Sequence, residues 1–183
     1  MILLARHGET ADNVPPQRVQ GWRDPPLTER GRAQARALAD QLKSEGVKAI
    51  WTSHLRRAQQ TAAIVGDALR IAPRTDDRLA ESNRGRWEGR LLDDIEREEP
   101  AAWRAWMQAG ASFRFPGGES LEEHQRRVLA ALQDVVRGPL PALVVCHGGT
   151  IRCAAAQRHA RGLDAFHELD VPNAALIRLE APT

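Results

Sequence analysis

Tyrosine is missing from this chain, lysine occurs only at Lys43 and Lys48, and cysteine only at Cys146 and Cys153. Two thiols outside any C-x-x-C cannot build a disulfide framework or a four-cysteine zinc site, so they read as small buried side chains in a reducing compartment. No apolar run approaches the ~20 residues of a membrane span. The opening Met1-Ile2-Leu3-Leu4-Ala5 is too short for a secretory leader and has no basic segment before it. The expectation is a cytoplasmic protein with no membrane partner.

What is present is arginine, 24 of the 26 basic residues, together with 29 alanines, at a net charge of +2. The arginines are scattered among 24 acidic residues and form no basic block with interleaved aromatics, so a nucleic-acid surface is not expected. Arginine does suit a local oxyanion site, because its planar fork grips phosphate or carboxylate bidentately. With 183 residues, 42% hydrophobic and 27% charged, the chain reads as one globular domain spanning 1–183, without repeat or linker.

Short apolar segments alternate with amphipathic ones. Ile2–Ala5, Val47–Trp51, Ala142–Cys146 and Ala174–Leu179 read as strands. Thr28 caps a helix carrying Ala35, Leu38 and Leu42 up to Gly46, and Ala58, Ala62, Val65 and Leu69 mark a second helix. Residues 91–109 are helical in pattern with a break near Pro100, and Ala109–Gly118 reads as a loop. Ser120-x-x-Glu123 is a capping box ahead of Leu121, Val128, Leu132 and Val135, and Thr150–Ala160 is a further helix. This alternation predicts a three-layer α/β/α sandwich with a mostly parallel central sheet, whose ligands sit beyond the carboxyl ends of the strands.

At two such ends stand histidines followed by glycine: Arg6-His7-Gly8-Glu9-Thr10 and Cys146-His147-Gly148-Gly149-Thr150. Glycine allows close backbone approach to a ligand, and the N–H groups opening the 150–160 helix would favour an anion. A lone strand-end histidine is more often structural, but two of them, one preceded by arginine, point to a site. Arg57, after the Val47–Trp51 strand, falls near the same edge; taken alone it reads as a solvated charge.

With these blocks in place, the chain resembles the histidine phosphatase superfamily, on its phosphoglycerate-mutase-like branch. The resemblance rests on Arg6-His7-Gly8-Glu9-Thr10-x-x-Asn13, on Gln20-Gly21-Trp22-x-Asp24-x-Pro26-Leu27-Thr28, and on Ser53-x-Leu55-x-Arg57-Ala58. It continues through Leu79-x-Glu81 with Gly85-x-Trp87-Glu88-Gly89, Pro116-Gly117-Gly118-Glu119-Ser120, and His147-Gly148-Gly149, in family order. It implies that His7 is a nucleophile forming a phosphohistidine, that Arg6, Arg57 and His147 hold the phosphoryl oxygens, and that Glu81 is the proton donor. Asn13, Gln20, Gly21, Gly148 and Gly149 would contact substrate. A proton donor must be protonated when it acts, so the pKa of Glu81 is expected to be raised by burial or a nearby carboxylate. The resemblance calls for no metal and no cofactor.

Arg84 departs from the family pattern, which has an aromatic or apolar residue there; three residues past Glu81, it either reaches the pocket or faces solvent. His54 also departs, without touching the catalytic set. Glu9 and Glu88 are rival acids, with Glu88 read as structural. His124, beside Glu122 and Glu123, reads as solvated, and His159 and His167 as surface or packing residues. Trp22, Trp87, Trp103 and Trp106 either line the substrate mouth or pack in the core.

Cofactor-dependent mutases of this family carry a long insertion before the Gly-Glu-Ser motif and a tail over the site. Here Gly89 to Glu119 spans 30 positions, four residues follow Leu179, and His147 is followed by Gly-Gly. The expectation is a phosphatase on small phosphomonoesters: a sugar phosphate, phosphoserine, 3-phosphoglycerate or α-ribazole 5′-phosphate. A cofactor-dependent phosphoglycerate mutase and a non-catalytic phosphate-binding module are the alternatives. Whether a second copy of the chain completes a homodimer is left open by the sequence.

Overall fold

The computed structural model describes residues 1–108 and 110–179. Five strands form one sheet in the order β3-β2-β4-β1-β5, with β1 at Ile2–Arg6, β2 at Ala49–Thr52, β3 at Pro73–Thr75, β4 at Ala142–Cys146 and β5 at Leu176–Leu179. β1, β4, β2 and β3 run parallel, and β5 pairs antiparallel on the outer edge of β1. Six helices accompany them among the described residues: α1 (Glu29–Leu42), α2 (Arg56–Leu69), α3 (Leu92–Glu98), α4 (Pro100–Met107), α5 (Leu121–Val136) and α6 (Gly148–Ala156).

Side chains alternate across a strand, and here the alternation sorts the two helical layers. Leu3 and Ala5 of β1, with Leu143 and Val145 of β4, face Leu38 and Leu42 of α1 and Ala58, Ala62 and Val65 of α2. Ile2 and Leu4, with Ala142 and Val144, face Val128, Leu132 and Val135 of α5 and Ile151 and Ala154 of α6. This is the three-layer α/β/α sandwich. A separate aromatic cluster of Trp87, Trp106, Phe113, Phe115 and Phe166 ties α3, α4 and the segment after α4 to the far end of α6.

The expected helix boundaries hold with modest shifts. Thr28 accepts from the Gly31 N–H at 3.0 Å as an N-cap, and Ser120 and Glu123 exchange both bonds of a capping box. Pro100 divides α3 from α4. The expected 150–160 helix instead runs from Gly148 to Ala156, and β3 lies in a stretch for which the sequence pattern predicts no element. Of the expected segments, Ala109 in the loop and residues 180–183 of the domain lie outside the described residues. No described helix is long and apolar enough to cross a membrane.

Candidate active site

Strand register brings the two histidines together. Arg6 of β1 pairs with Cys146 of β4, and the His7 N–H donates to the Cys146 carbonyl at 3.0 Å. The next residues, His7 and His147, therefore emerge side by side, with ring centroids 5.2 Å apart. β2 ends one strand over, where the Ser53 N–H donates to Val145, and this places the Ser53 hydroxyl 2.9 Å from His147 Nε2.

The tautomer of His7 follows from its partners. Nδ1 lies 2.7 Å from the Gly8 carbonyl, which can only accept, so Nδ1 carries the proton. Nε2 accepts from Arg57 Nε at 3.2 Å, so it carries no proton and its lone pair is held by that donor. Burial, then the charges of Arg57 and Arg6, hold the pKa of His7 well below 6.5. The ring is a neutral imidazole with its bare nitrogen directed at cations. Burial and Arg57 likewise keep His147 neutral. A Ser53 hydroxyl that donates to its Nε2 leaves Nδ1–H as a buried donor. That Nδ1, like Arg6 Nε, has no hydrogen-bond partner among the described residues.

Arg57, fully buried at the start of α2, is fixed through all three nitrogens, donating also to the carbonyls of Arg23 (2.6 Å) and Gly21 (2.8 Å). Burial lowers its pKa to about 10, so it stays charged at neutral pH. Arg6 donates to the Val171 carbonyl at 2.6 Å.

Beside His7 opens a cavity of about 350 Å³. Its wall includes Arg6, His7, Asn13, Gln20, Gly21, Glu81, Arg84, Gly148 and Gly149, all expected from sequence. Arg57 and His147 do not line it; both are fully buried against His7. Asn13 Oδ1 accepts from Thr10 and Asn173, which leaves its NH₂ group as the donor for the cavity. Gln20 donates to the Thr10 hydroxyl. Arg18, Arg152 and Asn173 also reach the wall and were not anticipated. A signal for Arg152 was present: it lies four and three residues beyond Gly148 and Gly149, on one face of a helix.

Glu81 overturns an expectation. Burial does push its pKa up, but Arg84, His124 and the N–H groups of Ser82 and Gly149 outweigh it and bring the carboxyl down to about 2. Oε1 accepts from Ser82 N at 2.8 Å, Oε2 from Gly149 N at 3.0 Å, and Arg84 Nη2 lies 3.8 Å from Oε2. The positive N-terminus of α6, expected to serve a bound anion, here holds this carboxylate. The backbone of Glu81 is clamped as well: its carbonyl accepts from Trp22 Nε1 and Arg127 Nη2, both at 2.8 Å.

Other expectations also change. His124 is not solvated; it is fully buried, with Nε2 3.2 Å from Thr150 Oγ1 and Nδ1 3.6 Å from Cys153 Sγ. Gly8 does not serve ligand approach. A Cβ there would strike the Gly31 backbone, and one on Gly31 would strike Glu9, so the pair lets the loop after β1 lie directly on α1. The two glycines after His147 do line the cavity. Glu9 is tied to Thr28 (2.8 Å) and faces Arg30, away from the cavity. Glu88 accepts from the N–H groups of Trp22 and Arg84, both at 2.9 Å, a structural role as expected. Trp87 and Trp106 are buried core residues, Trp103 packs against them, and Trp22 sits half exposed at the rim. His159 faces Glu168, and His167 lies against Trp106. Among the described residues no group of three His, Cys, Asp or Glu side chains is placed to hold a metal ion.

Comparison with known proteins agrees with this geometry. The model of the histidine phosphatase superfamily (branch 1) matches residues 2–182. A protein of Yersinia pestis (strain Pestoides F) named "Probable phosphoglycerate mutase GpmB" is 38% identical over 182 residues, 98% of this chain and 84% of the relative. The structure of mycobacterial glucosyl-3-phosphoglycerate phosphatase with VO3 superposes with a TM-score of 0.87 at 32% identity, covering 96% of this chain and 88% of that one. Bacillus stearothermophilus YhfR gives a TM-score of 0.87 at 34% identity, over 98% and 91%. With the two strand-end histidines side by side and the match running almost from end to end, the chain belongs to branch 1 of the histidine phosphatase superfamily.

Proposed function

We propose that the chain, acting as one domain, is a phosphomonoesterase that hydrolyses small phosphorylated metabolites through a phosphohistidine on His7. The observation that carries this reading is the tautomer of His7: Nδ1–H bound to Gly8 and Nε2 unprotonated, its lone pair accepting only from Arg57, beside a cavity lined by arginines. Nε2 attacks phosphorus, the P–O ester bond breaks, and the leaving oxygen takes a proton. Arg6, Arg57 and the Nδ1–H of His147 stabilise the charge that spreads over the phosphoryl oxygens. The unpartnered Arg6 Nε and His147 Nδ1 support this assignment.

Glu81, held ionised at rest, receives its proton with the substrate. A phosphomonoester has its second pKa near 6, so its monoanion is available around neutral pH. A bound phosphoryl dianion also raises the pKa of a neighbouring carboxylate by like-charge repulsion. Glu81 delivers that proton to the leaving alkoxide. Now ionised, it takes a proton from the water that attacks phosphohistidine; the P–N bond breaks and inorganic phosphate leaves. The sum is ester plus water giving alcohol plus phosphate.

A mutase reading has one observation behind it, the name of the Yersinia relative. Against it stands the use made of residues 89–119. Trp103, Trp106, Phe113 and Phe115 of that segment are spent on the aromatic cluster. The deciding experiment is trapping of ³²P from a labelled phosphomonoester on the protein by quenching in alkaline detergent, alongside His7→Ala. The wild type should show acid-labile, base-stable label and the variant neither label nor turnover; turnover retained by a folded His7→Ala protein refutes the covalent route. Glu81→Gln should slow alkyl phosphates far more than aryl phosphates, whose phenolate leaves without an acid.

A further inference from the structure

Hydrolysis as proposed uses Arg6 and Arg57, yet the cavity wall carries three more guanidiniums, those of Arg18, Arg84 and Arg152. Only two carboxylates on the wall oppose them, Asp12 and Glu81. Asp12 is engaged by Arg23 at 3.3 Å, and Glu81 is 3.8 Å from Arg84. Arg18 is exposed and donates to the Gly89 carbonyl. The remaining pair is built differently. Arg84 is 17% exposed, with Nε on Ser82 Oγ at 3.2 Å. Its guanidinium carbon lies 5.2 Å from the Phe115 ring and 5.4 Å from that of Trp106. Arg152 donates from Nε to the Leu169 carbonyl at 2.9 Å, and its guanidinium carbon is 5.7 Å from the Phe166 ring.

Trp106 packs against both Phe115 (tilted, 4.8 Å) and Phe166 (edge-on, 5.5 Å), so the two arginines rest on one aromatic cluster. Each is fixed from the Nε side, which orients its terminal nitrogens in advance. Arg127, by contrast, is closed on Glu119 at 2.6 Å, and Arg78 on Asp76 and Asp134. Arg152 has no ion-pair partner among the described residues. Burial lowers its pKa; the charge of Glu81 opposes that lowering, that of Arg84 adds to it, and that of Asp170 opposes it. Glu81, 3.8 Å from Arg84, is shared with the N–H groups of Ser82 and Gly149, so these two guanidiniums on one apolar surface retain capacity for a further anion, and a planar fork is suited to carboxylate or phosphate.

We propose that Arg84 and Arg152 form a second oxyanion subsite beside the phosphoryl position, selecting phosphomonoesters whose alcohol portion carries a further anionic group. This rests on the phosphatase reading only for what occupies the first position. The cavity of about 350 Å³ falls within the ~300–1,000 Å³ of small-molecule sites and has room beyond a phosphoryl group.

The test compares esters that differ in the second group alone. 3-Phosphoglycerate and glycerol 3-phosphate exchange a carboxylate for a CH₂OH; fructose 1,6-bisphosphate and fructose 6-phosphate exchange a second phosphate for a hydroxyl. At least one pair should show kcat/KM higher by roughly tenfold to a hundredfold for the more anionic member, the size expected of charge-assisted hydrogen bonds. The pair that responds identifies the second group. Arg84→Gln and Arg152→Gln, each checked for fold by circular dichroism, should bring that ratio towards one; if one variant does not fold, the other decides. Equal kcat/KM within both pairs, or a preference that survives substitution, overturns the subsite. If no ester is turned over, hydrolysis is refuted, and calorimetric binding of the same pairs to the wild type and both variants decides the subsite by the same ratios.

Discussion

Acidification should unfold this protein from the inside of its active site. His124 is fully buried, and burial together with the charge of Arg127 holds its pKa at about 4, against 6.5 for a free histidine. A histidine depressed in the folded state favours folding fully above the unfolded value and loses that contribution as pH falls through the window between the two. Within the window the unfolded chain binds the extra proton, so stability falls with pH. Integrated for His124 alone, the loss is about 2 kcal/mol at pH 5 and roughly 3 kcal/mol at pH 4. That is a large part of the ~5–15 kcal/mol of a typical domain. His7 and His147, both held well below 6.5 by burial and Arg57, add losses of the same sign. Glu81, about 2 in the fold against 4.5 free, contributes only at lower pH, with its share lost between those values.

Urea titrations at fixed pH between 7.5 and 5 measure this directly. Below pH 6.5 the unfolding free energy should acquire a slope of more than one proton. At a typical urea dependence of ~2 kcal/mol per molar, His124 alone moves the midpoint down by about 1 M at pH 5. His124→Gln should be less stable at pH 7.5 and shallower in its pH dependence by about one proton. A stability that stays flat from pH 7.5 to 5.5 would refute the reasoning. It would mean that the buried imidazoles accept protons in the folded state, and the bare Nε2 of His7 would fall with it.

Two further outcomes follow from the same geometry. Gly149→Ala would place a methyl group on Glu81 Oε1, displacing the carboxylate from its seat at the start of α6; kcat on alkyl phosphates should fall by roughly a hundredfold with the fold intact, and a change under twofold would refute the placement. Activity on 4-nitrophenyl phosphate should survive EDTA if Arg6 and Arg57 supply the positive charge as proposed; loss on chelation with recovery on Mg²⁺ or Zn²⁺ would contradict that assignment.

Much of this was legible in the chain, for identifiable reasons. β1 and β4 are continuous apolar runs because both faces of the sheet are covered, and a residue at the end of such a run must leave the sheet at its ligand-binding edge. Strand β3 was not legible: Pro73–Thr75 is three residues long, with Arg74 and Thr75 exposed, so no alternation marks it. His124 was misread because Glu122 and Glu123 flank it. Its spacing told otherwise, three residues after Leu121 and four before Val128, on the buried face of α5. The charge state of Glu81 could not be read locally. One of its hydrogen bonds comes from Gly149, 68 residues away, and another of its lowering influences from His124 on α5. Burial alone predicts a raised carboxyl; only the fold shows how many donors meet it.

The fate of phosphohistidine separates hydrolysis from isomerisation, and the structure bears on it through residues 89–119. A mutase must exclude water while the substrate turns over in its site, which requires a covering segment. Here α3 and α4 sit against Trp87 and Phe115, and Trp106 is 7% exposed, so this stretch is committed to a core beneath Arg84. The cavity beside His7 is bounded on one part of its wall by Gln17, Arg18 and Leu92, of which Leu92 alone comes from this stretch. If His7 is phosphorylated as proposed, water should reach it as soon as the alcohol leaves, and Glu81, having given up its proton, should be ionised to receive one from that water. With 3-phosphoglycerate and 2,3-bisphosphoglycerate both supplied, ³¹P NMR should show inorganic phosphate accumulating well ahead of 2-phosphoglycerate. Isomerisation outrunning phosphate release would overturn the assignment, because a phosphohistidine facing an uncovered cavity beside an ionised carboxylate has no means of waiting for a second phosphoglycerate.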